Sequence, residues 1–131
     1  MQYAVARRGI PAAASLRRWA TGSSGVTLRI VGHREGLLLN KKHRGKGKPT
    51  NVLSFPYGGG RGDIVLCHPV IAREARAQGK SVRAHYAHLV VHGVLHLRGH
   101  RHDGKDSARA MQRRETRALA RLGFDDPYAV R

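Results

Sequence analysis

Three histidines with the spacing of metal ligands lie in the segment HGVLHLRGHRHD. His92 and His96 are four residues apart, so that on a helix their imidazoles lie one turn apart on the same side. His102 follows a glycine, at which the chain can turn back. Three imidazoles leave one position of a tetrahedral zinc ion for water, whose pKa zinc lowers to about 7. We therefore predict one zinc ion per chain on these three histidines, used for hydrolysis.

The spacing H-x3-H-x2-G-x2-H is also that of the metzincin zinc proteases. In those enzymes a glutamate follows the first histidine and acts as general base, whereas Gly93 occupies that place here. A peptidase would therefore need a carboxylate from outside the motif, such as Glu35 or Asp63. A phosphodiester substrate fits better, because neutralising its charge matters more than an adjacent carboxylate does.

Further histidines surround the predicted ligands. His85 and His88 precede them at helical spacing and share their side of the helix. We predict supporting roles for both, because three protein ligands and a water already complete the coordination of zinc. His100 competes as third ligand, but Gly99 makes a continuing helix unfavourable, so the prediction stays with His102.

The elements that position these residues follow from hydrophobic periodicity and from the placement of proline and glycine. The patterns predict strands over 26–31, 51–57 and 63–67, and helices over 11–20, 34–42, 69–78, 82–98 and 106–122. The helix over 82–98 is apolar around most of its circumference and should run through the centre. We predict one α+β domain over 1–131, in which a small mixed sheet of about four strands packs with this central histidine-bearing helix and surrounding helices.

Charge and cysteine content limit the partners and the compartment. The 131 residues include 25 Lys+Arg and 8 Asp+Glu, a net charge of +17. Such a surface favours polyanions, although a general composition bias towards arginine explains the excess equally well. The single cysteine, Cys67, lies in an apolar run and is predicted to be a buried small hydrophobe. With no signal peptide and no apolar stretch of membrane-spanning length, we expect a soluble, cytoplasmic protein without membrane contact.

The segments NVLSFPY, GDIVLC and HGVLHLRGHRHD together resemble the YbeY family of bacterial rRNA maturation factors. The resemblance runs from Val26 to the terminal LGFDDPY and leaves only the N-terminal segment unmatched. It implies a metzincin-like zinc site and a single-strand-specific, zinc-dependent endoribonuclease in 16S rRNA 3′-end maturation and ribosome quality control. It also implies rRNA and the small ribosomal subunit as partners, with a small-subunit protein and the Era GTPase.

By this resemblance the family's metal ligands fall on His92, His96 and His102, and the functional arginine of its RGKxKPT loop falls on Arg44. A guanidinium group suits a phosphate clamp, because it offers paired donors and stays charged. We therefore assign catalysis to Arg44 and His92. Either the zinc-bound water or the neighbouring 2′-hydroxyl attacks the phosphate, and the sequence does not choose between them.

Two positions depart from the family pattern, which places an aromatic residue and Asp where His100 and Arg101 stand. Arg101 removes a carboxylate partner for a zinc-bound imidazole, and Asp103 is the predicted replacement. An alternative function uses the same residues: a non-catalytic ribosome assembly factor that zinc stabilises and that docks on rRNA. Substitution of Arg44 separates the two, because a docking protein would lose binding before anything else.

Overall fold

The computed structural model describes residues 1–20, 25–44, 50–99 and 105–129, and for residues 43, 44 and 105 it describes the backbone alone. The elements in chain order are β1 (Gln2–Tyr3), α1 (Ala13–Trp19), β2 (Val26–Val31), α2 (His33–Arg44), β3 (Val52–Gly58), β4 (Arg61–Cys67), α3 (His68–Ala77), α4 (Val82–Leu97) and α5 (Lys105–Arg121). The described residues therefore form an α+β domain with a four-stranded sheet and five helices, as the sequence predicted in outline.

The sheet has the strand order β1-β2-β4-β3 and is mixed. β1 pairs with β2 and β2 with β4 in parallel, whereas β3 and β4 form an antiparallel hairpin. Gly59 and Gly60 form its turn at φ of 65° and 77°, values that glycine adopts without steric cost. The parallel pair β2–β4 thus lies inside the sheet, where both faces need cover.

β4 explains how the sheet is covered on both faces. Ile64 and Leu66 belong to the main hydrophobic cluster, which also holds the apolar residues of α4. Val65 and Cys67 alternate with them and belong to a second cluster on the opposite face. Cys67 is 2% exposed, and burial raises the pKa of its thiol, which confirms the predicted buried hydrophobe.

α4 lies against β3 and β4 and also contacts α1, α3 and α5. It begins where the Ser81 hydroxyl accepts a hydrogen bond from the Ala84 N–H at 3.0 Å, and the chain leaves it through Gly99 at φ 91°. Gly93 faces the sheet: a Cβ there would lie 3.0 Å from Ile64. The prediction of a central helix over 82–98 is confirmed to within one residue.

The element predictions differ from the structure by one or two residues at most ends, and one strand was not predicted. That strand is β1: two residues carry no periodicity, and Gln2 and Tyr3 become a strand only by pairing with β2. In α2, Leu38 is 57% exposed, whereas Leu39 packs on the second cluster. None of the helices in the described ranges combines the length and hydropathy that a bilayer crossing needs.

Candidate metal centre

One side of α4 carries histidines, and most of its other residues are apolar and buried. The ring centroids of His92 and His96 are 6.2 Å apart, and those of His85 and His88 are 6.3 Å apart. The His92 side chain is 23% exposed, whereas that of His85 is 4% exposed. The helix therefore brings the first two predicted ligands together at its more accessible, C-terminal half.

A carboxylate from α5 fixes the orientation of this histidine row. Glu115 is fully buried. Its Oε2 lies 2.6 Å from Nδ1 of His92, and its Oε1 lies 2.8 Å from Nε2 of His88 and accepts a hydrogen bond from the Tyr128 hydroxyl. A buried charge is tolerated here because both carboxylate oxygens have hydrogen-bond donors.

These contacts determine the ionisation of Glu115. Burial by itself would raise the pKa of the carboxyl group, but the hydrogen bonds from His88, His92 and Tyr128 together lower it to about 2. Glu115 is thus a carboxylate at neutral pH, and a carboxylate can only accept hydrogen bonds.

The tautomer of each histidine follows. His92 must carry its proton on Nδ1, which leaves the lone pair on Nε2, the form in which a neutral imidazole binds a metal ion. His88 has the opposite arrangement, because its Nε2 donates to Glu115. The contact through Nδ1 is therefore the one expected of a zinc-binding His92, whereas His88 contacts the same carboxylate through Nε2.

A second carboxylate serves His85. Glu74 on α3 places Oε1 2.9 Å from Nε2 of His85, and the same oxygen accepts a hydrogen bond from the Asn51 amide at 3.0 Å. Burial lowers the pKa of His85, and the contact with Glu74 opposes that effect only partly. His85 is therefore bound to protein at the buried end of the histidine row.

The remaining predicted site residues are placed only in part. His102, His100, Arg101 and Asp103 lie outside the described residues, and of Arg44 only the backbone is described, as the last residue of α2. Within the described ranges no three side chains of histidine, cysteine, aspartate or glutamate are arranged to hold a metal ion. The triad of histidines stays a prediction, of which α4 brings two members together.

The carboxylates that a peptidase would need are engaged elsewhere. Glu35 forms a two-bond ion pair with Arg29, at 2.7 and 2.9 Å. Asp63 accepts a hydrogen bond from the Tyr57 hydroxyl. Gly93, which stands where the proteases have their glutamate, packs against the sheet. The two carboxylates named as candidates for the missing general base are thus engaged with other side chains.

Glu115 was missed by sequence reasoning, although a signal for it exists. Met111 and Leu119, four residues before and after it, are the buried positions of α5. Burying an acid in the middle of an apolar helical stripe costs free energy unless it is hydrogen-bonded. Such an acid therefore indicates hydrogen-bond donors on the facing helix. The motif predicts this carboxylate nearby in the chain, at Asp103, which lies outside the described residues.

The comparisons with known proteins agree on one family. The family model for endoribonuclease YbeY matches residues 5–123. A protein named endoribonuclease YbeY from Aromatoleum aromaticum is 51% identical over 126 residues, covering 91% of this chain and 82% of that protein. Proteins of the same name from Stenotrophomonas maltophilia and Nitrosomonas eutropha are 46% and 45% identical and cover 98% and 99% of this chain and 91% and 97% of their own lengths.

A solved structure supports the fold. The solution structure of a Thermotoga maritima protein matches with a TM-score of 0.53 at 23% identity, over 89% of this chain and 88% of that one. At this identity the match concerns the arrangement of helices and strands alone. Together with the matches in sequence over nearly the whole length, it leads to one conclusion: this chain belongs to the endoribonuclease YbeY family.

Proposed function

We propose that this chain is an rRNA-processing endoribonuclease that cuts single strands and depends on zinc bound by His92, His96 and His102. Family membership supports the activity on RNA. The observation that best supports the metal is the pair of α4 histidines, in which the Glu115 carboxylate holds the His92 ring through Nδ1, as carboxylates do for zinc-binding imidazoles.

The proposed mechanism assigns a separate role to each of four side chains. When bound, zinc supplies Lewis acidity and a water of lowered pKa. Glu115 holds the His92 ring, and His92 and His96 present their imidazoles from one side of α4. Arg44 binds the scissile phosphate and neutralises charge that develops on it, because a guanidinium group stays protonated throughout.

The proposal extends to the cellular setting. The chain acts in 16S rRNA 3′-end maturation and in ribosome quality control, on the small ribosomal subunit, in the cytoplasm. Its partners include a small-subunit protein and the Era GTPase, and residues 1–131 are one domain. The net charge of +17 supports a polyanionic substrate. The main cluster, which joins residues of α1, the sheet, α4 and α5, supports the single domain.

The decisive experiment compares the wild type with His96→Ala and Arg44→Ala. Zinc content is measured by mass spectrometry and cleavage with a single-stranded rRNA fragment. We expect His96→Ala to lose both zinc and cleavage, and Arg44→Ala to keep zinc but lose cleavage. Equal cleavage by all three proteins would show a contaminating nuclease. Loss of RNA binding in Arg44→Ala, with no turnover by the wild type, would favour the assembly factor.

A further inference from the structure

A groove runs beside the candidate metal centre, between α5 and the C-terminal segment. Its volume is about 420 Å³, and its walls include Arg109, Arg113 and Arg117 of α5 together with Asp126 and Tyr128. Neither the family match nor the histidine motif assigns a role to this groove.

The three arginines form a regular row. They are exposed and four residues apart, so that their Cα atoms follow one another at about 6 Å along the helix axis. None of them pairs with a carboxylate in the described part of the chain, unlike Arg29, which forms an ion pair with Glu35. Such a row attracts an extended chain of negative charges more strongly than it attracts a single anion.

Asp126, the acid among the described residues of the groove, has its carboxylate engaged by nearby donors. Oδ1 of Asp126 accepts hydrogen bonds from the backbone N–H of Tyr128 at 2.9 Å and from the Thr116 hydroxyl at 3.3 Å. These contacts fold the C-terminal segment back on α5 and shape the wall of the groove. One carboxylate against three guanidinium groups leaves the groove positive.

Tyr128 connects the groove to the histidine row. Its ring is 41% exposed, lines the groove and meets the His88 ring edge-on at a centroid distance of 5.2 Å. Its hydroxyl donates to Glu115, the same carboxylate that holds His92. Two hydrogen bonds, from Tyr128 to Glu115 and from Glu115 to His92, therefore connect one end of the groove to a predicted metal ligand. The exposed part of the Tyr128 ring also offers a surface on which a base can stack.

We propose that this groove binds the sugar–phosphate backbone of single-stranded RNA on one side of the scissile bond, with phosphates on Arg109, Arg113 and Arg117 and a base against Tyr128. The proposal deepens the proposed function and rests on it for the identity of the substrate. The proposal concerns RNA binding, and RNA binding can be measured separately from RNA cleavage.

The test compares two triple variants that remove the same charge. Arg109, Arg113 and Arg117 are changed to Ala in the groove variant, and the exposed Arg34, Arg73 and Arg76 of α2 and α3 are changed to Ala in the control. Binding of a fluorescein-labelled single-stranded RNA to zinc-loaded protein is followed by anisotropy in the cold at several salt concentrations. A denaturing gel of each sample shows that the RNA is intact.

The groove variant should bind at least about tenfold more weakly, and the slope of log affinity against log salt should become shallower by about 2, because each phosphate contact contributes about 0.7 for single strands. The control should keep most of its affinity. Arg113→Glu, a single substitution at an exposed position, should also weaken RNA binding. Thermal unfolding of each variant shows whether it is folded.

Equal losses in both triple variants would overturn the proposal, since net charge alone would then explain binding. Failure of the wild type to bind RNA, or stronger competition by polyglutamate than by RNA, would also overturn it, the latter in favour of an acidic protein partner. RNA binding by the wild type with a groove-specific loss, but no cleavage, would support the groove and contradict the proposed nuclease activity.

Discussion

At the scale of single residues, the candidate site depends on a carboxylate that is distant in sequence from the motif. Glu115 has no exposed surface, and its two oxygens accept from three side chains. Such a partner fixes the ring angle and the tautomer of a histidine before a metal arrives, and it makes the imidazole a better ligand. Removing its charge should therefore affect metal binding more than folding.

Glu115→Gln should weaken zinc binding by about 10- to 100-fold, because the amide keeps the shape of the carboxylate but not its charge. Competition with a chromophoric chelator measures the dissociation constant. Glu74→Gln is the matched control, since Glu74 contacts His85, which is not a proposed ligand. Equal weakening in both variants would show that the effect is not specific to the His92 contact.

A second prediction at this scale concerns pH. Burial lowers the pKa of His85 below its ordinary value of 6.5, against the opposing contact with Glu74, while His88 and Lys80 lower it further. The folded state therefore binds this proton less readily than the unfolded state does. Its contribution to stability is complete above about pH 6.5 and is lost as the pH falls from there towards the lowered value.

Denaturant unfolding of zinc-free protein at about pH 7.5 and 5.5 measures this effect as a fall in the free energy of unfolding. The fall should be smaller in His85→Gln than in the wild type. His33→Gln, at an exposed histidine of α2, is the control and should leave it unchanged. A fall of the same size in His85→Gln would exclude His85 as a source of the pH dependence.

At the scale of elements, the position of α4 depends on close contact with the sheet. A Cβ at Gly93 would lie 3.0 Å from both Cδ1 and Cγ2 of Ile64 on β4. This explains why a residue that lowers helix propensity stands in the middle of the central helix. Gly93, which stands where zinc proteases have their general-base glutamate, is therefore required for helix–sheet packing.

Gly93→Ala should destabilise the protein, because overpacking costs about 1–3 kcal/mol and the gain in helix propensity is about 1 kcal/mol. Ile64→Val removes a methyl group at the contact, so the double variant should be more stable than the two single effects predict, by about 1 kcal/mol. Denaturant unfolding measures all four proteins. Ile30→Val, on the neighbouring strand, should show no such coupling with Gly93→Ala; similar coupling there would contradict a local contact.

At the scale of the whole molecule, charge and topology act together. A net charge of +17 sets up a positive field around the entire protein and speeds its encounter with polyanions, but it does not say where they bind. The fold supplies the location, because α5 places three of its arginines along the groove and its one buried acid against α4. The salt dependence of RNA binding should therefore become shallower in the groove variant, because phosphate contacts are lost at that location.

Local features of this protein could be predicted from its sequence. Periodicity and the glycine and proline positions were enough for the long elements, to within a few residues at their ends, and for the α4 face that carries His92 and His96. These features depend on neighbours in the chain, and so a single sequence contains them. The same holds for Cys67, whose apolar flanks predicted burial.

Contacts between groups that are distant in the chain became evident from the fold alone. Glu115 reaches His92 and His88 across a helix pair, Tyr128 joins them from the C-terminal segment, and β1 exists through its pairing with β2. Sequence spacing does not encode contacts between separate elements, because they depend on how each apolar face is buried against another. The placing of His92 and His96 on one face was therefore predictable from the sequence, whereas the carboxylate that sets the His92 tautomer and the arginine groove beside it required the fold.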